Sequence, residues 1–176
     1  QELDVSFIGS GGNVIGEEYI DFQEVNNVLE PKFMLGPDND IWIRDEPIVG
    51  HQYICGVDVS RGDGEDSSTI VIIDFTTMEE VMEYQGKIQP DLLAQIVEEY
   101  GMLYNAYTVV DVTGGMGVST VLKLLEFNYK LLHYDDVSGK ILSARQRELT
   151  SSKNKDKIPG FHATNVRLPM ISNLEY

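Results

Sequence analysis

Hydrophobic positions alternate with period two in three runs near the middle of the chain, and recur with a helical period in two runs that follow. Tyr53 to Ser60, Ser68 to Thr76 and Val81 to Ile88 read as strands. Only short turns separate the last two, which favours an antiparallel hairpin. Pro90 opens a helix at its first position, where a missing N–H costs little, and Leu92, Leu93, Ile96, Val97 and Tyr100 form its apolar stripe, ending near Gly101. Tyr107 to Thr113 reads as a buried strand from its β-branched content. Gly114-Gly115-Met116-Gly117 then leads into a second helix through Val118, Val121, Leu122, Leu124 and Leu125. Lys130 to Tyr134 predicts a fifth strand, and a third helix is expected near Pro169. The order β-β-β-α-β-α-β implies an α/β fold, a mixed sheet with helices on both faces.

The first part of the chain is different. Gly9-Ser10-Gly11-Gly12 is a turn signal, and Pro31, Pro37 and Pro47 punctuate a stretch with no sustained helical period. Residues 1–49 therefore read as an irregular or hairpin-rich lead-in, and residues 50–176 as the regular domain. The 176 residues suffice for one domain with a sizeable core. No apolar run approaches the ~20 residues that span a bilayer, and Gln1 to Ile20 lacks a basic start followed by an apolar stretch. A soluble, non-exported protein is expected. The single cysteine, Cys55, lies in a strand-like run and reads as a core residue.

Two aspartates stand at the ends of predicted strands, Asp58 in Gly56-Val57-Asp58-Val59-Ser60 and Asp111 in Val109-Val110-Asp111-Val112-Thr113. Burying a carboxylate costs several kcal/mol without a compensating partner, so the pair implies matched cations or a divalent metal. The first and fourth strands of such a sheet can run parallel and adjacent, which brings both carboxylates to one sheet end. Oxygen ligands suit Mg²⁺ or Mn²⁺, and two such ions ~3.5 to 4 Å apart would activate a water and stabilise the leaving oxygen of a phosphodiester. The plainer alternative is that each aspartate caps its strand end through loop N–H groups. Between the first two strands, Asp63, Glu65 and Asp66 crowd one loop, and Asp66 either turns back toward Asp58 or serves the turn.

Net charge is −16, which argues against binding a polyanion, but its distribution alters that picture. Residues 140–176 hold seven basic and three acidic side chains, a net +4, so the first 139 residues carry −20. Arg145, Arg147, Lys153, Lys155 and Lys157 are thus candidate phosphate contacts, or alternatively a solvated lysine-rich loop. The glycines at 114, 115 and 117 suit either a phosphate at a helix start or an ordinary tight turn. No Gly-Lys-Ser/Thr completes a nucleotide-binding P-loop, and His51, His133 and His162 show no paired metal spacing, so they read as structural.

These residues together resemble the nuclease domain of bacteriophage large terminase subunits, which has a ribonuclease H-like fold. The resemblance is carried by Gly56-Val57-Asp58-Val59-Ser60 with its acidic loop to Asp66-Ser67-Ser68, and by Val110-Asp111-Val112-Thr113-Gly114 with Gly117. It extends to Gly160-Phe161-His162-Ala163-Thr164-Asn165 and Arg167-Leu168-Pro169-Met170-Ile171. Gln1-Glu2 with Phe7 and Ser10-Gly11 looks like the end of the packaging ATPase domain, so residues 1–49 would be its end and linker.

The resemblance implies a metal-dependent DNA endonuclease that cuts concatemeric viral DNA during packaging. It implies two Mg²⁺ or Mn²⁺ ions held by Asp58, Asp111 and an additional loop acid at Asp66. It also implies double-stranded DNA, a portal and a small terminase subunit as partners, and residence in the infected host's cytoplasm rather than in the virion. The family's third metal acid follows the region resembling Arg167 to Glu175 and is expected beyond Tyr176, so weak metal binding and slow or absent cleavage are expected of these 176 residues by themselves. Glu175 is too early to match it, and Asp135 or Asp136 would substitute only if the fifth strand delivered one to the site. A noncatalytic docking domain of the packaging machinery is the alternative. A sugar-kinase or actin-like ATPase shares the three-strand opening, but the remaining length is too short for both of its lobes.

Overall fold

The computed structural model describes residues 16–134 and 159–165. Residues 16–29 belong to one compact unit, and residues 30–134 and 159–165 to another. In the first unit, α1 (Glu17–Asn26) starts with Glu17 and Glu18, which favour the positive end of the helix dipole, and none of its residues is buried. The sequence reading missed this helix because Tyr19, Ile20, Phe22 and Val25 do not form a single narrow stripe.

The second unit is built on a six-stranded mixed sheet. Its strands are β1 (Phe33–Leu35), β2 (Ile41–Ile43), β3 (Tyr53–Asp58), β4 (Ser68–Asp74), β5 (Glu79–Gly86) and β6 (Tyr107–Val110), in the order β1-β2-β5-β4-β3-β6. The expected antiparallel hairpin is β4–β5, and β3 pairs antiparallel with β4 and parallel with β6. Residues 33–43, which the sequence reading placed in the lead-in, form a hairpin whose second strand pairs with β5, so this compact unit begins at Glu30.

Strand alternation sends Cys55, Val57, Ile70, Ile72, Met82, Tyr84 and Val110 to one face, where all are buried. The helices α2 (Pro90–Leu103) and α3 (Met116–Glu126) pack on each other and join the same core through Leu93, Val97, Val121 and Leu124. Both described helices of this unit therefore serve that face. Thr120 Oγ1 donates to the Pro90 carbonyl at 2.8 Å, fixing α3 against the start of α2. Cys55 is fully buried, as a core cysteine should be, and burial pushes its thiol up to about 12.

The fifth strand expected at Lys130 to Tyr134 is not formed as a ladder. Leu132 makes one parallel bridge to Thr108, but the place beside Asp111 is taken by Phe161, and Tyr134 bridges Gly160 instead. Two short segments thus share the edge of β6. The helix expected near Pro169 lies outside the described residues. No described helix is long and apolar enough to cross a membrane.

Candidate metal centre

Asp58 ends β3, and the alternation that buries Cys55 and Val57 turns Ile54, Gly56 and Asp58 to the opposite face. Asp111 follows β6 directly. The last paired residues of the two parallel strands are Val57 and Val110, and the Asp111 amide donates to the Val57 carbonyl at 2.9 Å. Asp58 and Asp111 are therefore successive in register, on one face, at the carboxyl end of two adjacent parallel strands. Open α/β sheets bind ligands at such an edge.

The expected cause of this pairing was burial, and the structure corrects it. Asp58 is exposed and Asp111 only half-buried. Water already solvates much of both carboxylates, so no large desolvation cost demands a partner. Register alone brings them together. The capping role is also realised at Asp111, whose Oδ1 accepts the Thr113 N–H at 2.7 Å, leaving Oδ2 open to another partner. No hydrogen bond or ion pair engages the Asp58 or Asp66 carboxylate among the described residues.

A groove of about 780 Å³ opens beside Asp58, lined also by Ser60, Arg61, Asp63, Glu65, Asp66, Gln85 and Met116. Asp66 thus shares a groove with Asp58, while Asp111 stands outside its wall. Among the described residues, Arg61 reaches only Asp63, at 3.4 Å. One or two carboxylates suffice for a hard cation that keeps several waters, the habit of Mg²⁺. Among the described residues, no three His, Cys, Asp or Glu side chains come close enough together to hold a metal ion. The donor set therefore fits such an ion only as part of a coordination shell.

The glycine turn has a structural reason. Gly114 and Gly115 take φ of +73° and +89°, and a Cβ on Gly117 would lie 2.0 Å from the Asp111 carbonyl oxygen. Only glycine lets α3 start against the Asp111 backbone. His51 bonds Asp74 through Nδ1 at 2.6 Å, and the buried His133 meets the Tyr107 hydroxyl at 3.1 Å, so both are structural. Arg145, Arg147, Lys153, Lys155, Lys157, Asp135, Asp136 and Glu175 lie outside the described residues. The sequence reading missed Ser60 and Gln85 in the groove wall. It also did not foresee that the Ala163 N–H donates to Thr113 Oγ1 at 2.8 Å, tying the Gly160–Asn165 segment to the Asp111 turn.

Three antiparallel strands, a crossover helix and a parallel strand set beside the first define a ribonuclease H-like α/β fold. Among solved structures this is the fold of large terminase nuclease domains. The large terminase nuclease from thermophilic phage G20c matches with a TM-score of 0.52 and 16% identity, over 84% of this chain and 63% of that chain. The same nuclease with bound magnesium gives 0.47 at 14% identity, over 84% and 63%. The Thermus phage P74-26 large terminase nuclease domain gives 0.42 at 20% identity, over 48% and 43%. The fold assignment rests on the first of these, and this chain spans 63% of that chain's length. The sequence matches no family model and no curated protein.

Proposed function

We propose that this chain is the nuclease domain of a viral genome-packaging terminase, a divalent-metal-dependent endonuclease acting on double-stranded concatemeric DNA. The observation that carries the reading is the register of Asp58 with Asp111 at the open end of two parallel strands. Asp58 and Asp111 hold Mg²⁺ or Mn²⁺, and Asp66, which lines the same groove as Asp58, adds negative charge. When bound, the metal supplies an activated water and offsets charge on the scissile phosphate; two ions occupy the complete site. Asp111 keeps its carboxylate oriented through the Thr113 amide, so little side-chain freedom is lost on binding. Backbone contacts from Arg145, Arg147, Lys153, Lys155 and Lys157 make cutting largely insensitive to sequence. The portal and the small terminase subunit are its partners, and the infected host's cytoplasm is its location.

A second reading, a noncatalytic docking domain, draws on the net charge of −16 and on the lack of a three-ligand group among the described residues. Calorimetric Mn²⁺ titration together with plasmid nicking separates the two. The nuclease reading expects saturable Mn²⁺ binding by this chain and Mn²⁺-dependent nicking by the chain extended through the acid expected beyond Tyr176, both lost in Asp58→Asn. Absence of both from the extended chain leaves the docking reading.

A further inference from the structure

Ser60 and Ser68 stand at the two feet of the acid-rich loop, each two residues beyond an aspartate of the groove, Asp58 and Asp66. Ser68 has no exposed surface. Its Oγ accepts the Ser60 N–H at 3.0 Å and lies 3.1 Å from the Ser60 hydroxyl, and Ser60 Oγ accepts the Gly62 N–H at 3.3 Å. The loop is held further by Gly62, whose φ is +77° and whose added Cβ would lie 2.3 Å from the Ile88 carbonyl oxygen.

Donor accounting orients the two hydroxyls. Each carries one proton and two lone pairs. Ser68 is sealed from water, and Ser60 Oγ is the acceptor within its reach among the described residues. A buried O–H without an acceptor carries the full penalty of its lost hydration, so Ser68 donates to Ser60. Ser60 Oγ then accepts twice, from Ser68 and from Gly62, and its own proton is left over. Ser60 is half-buried in the groove wall, so that proton is available to a groove ligand.

We infer that the Ser60 hydroxyl donates to a nonbridging phosphate oxygen of bound DNA and is aimed by the buried Ser68 hydroxyl, an assignment that rests on the nuclease reading. Asp58, Asp63, Glu65 and Asp66 repel a phosphate, and Arg61 is turned toward Asp63. A neutral O–H attracts a phosphate oxygen without placing a cation where the metal must sit.

The test is fluorescence anisotropy of a short labelled DNA duplex in Ca²⁺, with Mn²⁺ affinity and melting temperature measured alongside. Ser60→Ala is expected to weaken duplex binding about tenfold, the usual worth of a hydrogen bond to a charged group, and to leave Mn²⁺ affinity unchanged. Ser60→Thr keeps the hydroxyl and binds as the unaltered chain does. Ser68→Ala strips the Ser60 N–H of its acceptor, so it costs at least as much stability but a smaller loss of duplex affinity. A purely structural role predicts the reverse order, with affinity following stability. That order, unchanged duplex binding in Ser60→Ala, or loss of Mn²⁺ affinity in Ser60→Ala overturns the assignment. An unaltered chain that binds neither Mn²⁺ nor duplex overturns the nuclease reading and this assignment with it.

Discussion

The Asp111 amide donates to the Val57 carbonyl at 2.9 Å and so carries the β3–β6 pairing one residue past the end of β6, level with Asp58. Neither carboxylate needs a special loop to reach the other. Two strand ends in parallel register suffice, and the side chains remain wet enough to exchange water for a metal.

If that register builds a metal site, removing either charge weakens it. A unit charge ~4 Å from a divalent ion is worth roughly 2 kcal/mol even at the dielectric of water, so Asp58→Asn and Asp111→Asn should each lower Mn²⁺ affinity tenfold or more. Asn at 111 keeps an Oδ1 for the Thr113 amide, whereas Asp111→Ala also loses that bond, at a further cost of about 1 kcal/mol of stability. Calorimetric titration and thermal melts of the three variants check both parts. Undiminished affinity in both Asn variants would remove the pair from the metal site.

Gly117 supports the same site through its backbone. A Cβ there would lie 2.0 Å from the Asp111 carbonyl oxygen, so Gly117→Ala must push Asp111 or α3 aside. We expect a loss of more than about 2 kcal/mol of stability together with weaker Mn²⁺ binding. Gly114→Ala meets open space and only the strain of φ +73°, about 1 kcal/mol, and should leave Mn²⁺ affinity alone. Urea melts and titrations compare them, and equal effects at the two positions would show that the turn, rather than the contact, matters.

The middle of the fold was legible because its strands bury alternate residues, as in Cys55 and Val57 or Ile70 and Ile72, and because α2 and α3 each turn one stripe to the core. α1 was not, since no residue of it is buried and its apolar positions carry no single-face pattern. At Lys130 to Tyr134 the local pattern was strand-like, but Phe161 holds the place beside Asp111, a competition that sequence neighbours cannot reveal. Asp58 and Asp111 were visible as strand-end charges, though for a reason, burial, that the structure removes. Ser60 and Ser68 were invisible because serines are ordinary in loops, and only measured distances make donor accounting possible.

The contact between Thr113 Oγ1 and the Ala163 N–H links two segments far apart in sequence at the Asp111 turn. Thr113→Val removes the acceptor and keeps the shape, so hydrogen exchange at the Ala163 amide should speed up several-fold, while Thr113→Ser restores protection. An exchange rate equal in all three would mean that the bridge of Phe161 to Asp111 holds the segment without Thr113.

At the other end of β3 and β4, Asp74 is 3% exposed and accepts the His51 Nδ1 at 2.6 Å and the Thr76 N–H at 2.8 Å. Burial pushes this carboxyl up, but the His51 bond, the backbone amides of Thr76 and Thr77 and the His51 charge outweigh it and hold the group below its ordinary 3.8. A carboxyl with a lower pKa folded than unfolded binds fewer protons in the native state. Its stabilisation is therefore complete above the unfolded value and is lost as pH falls through the folded one. Asp74→Asn should melt lower than the unaltered chain at neutral pH, and the gap should close as pH drops below about 3.8. Melting temperatures of both proteins across the acid range test this, and a gap that stays constant with pH would show that Asp74 stabilises the sheet end without its charge.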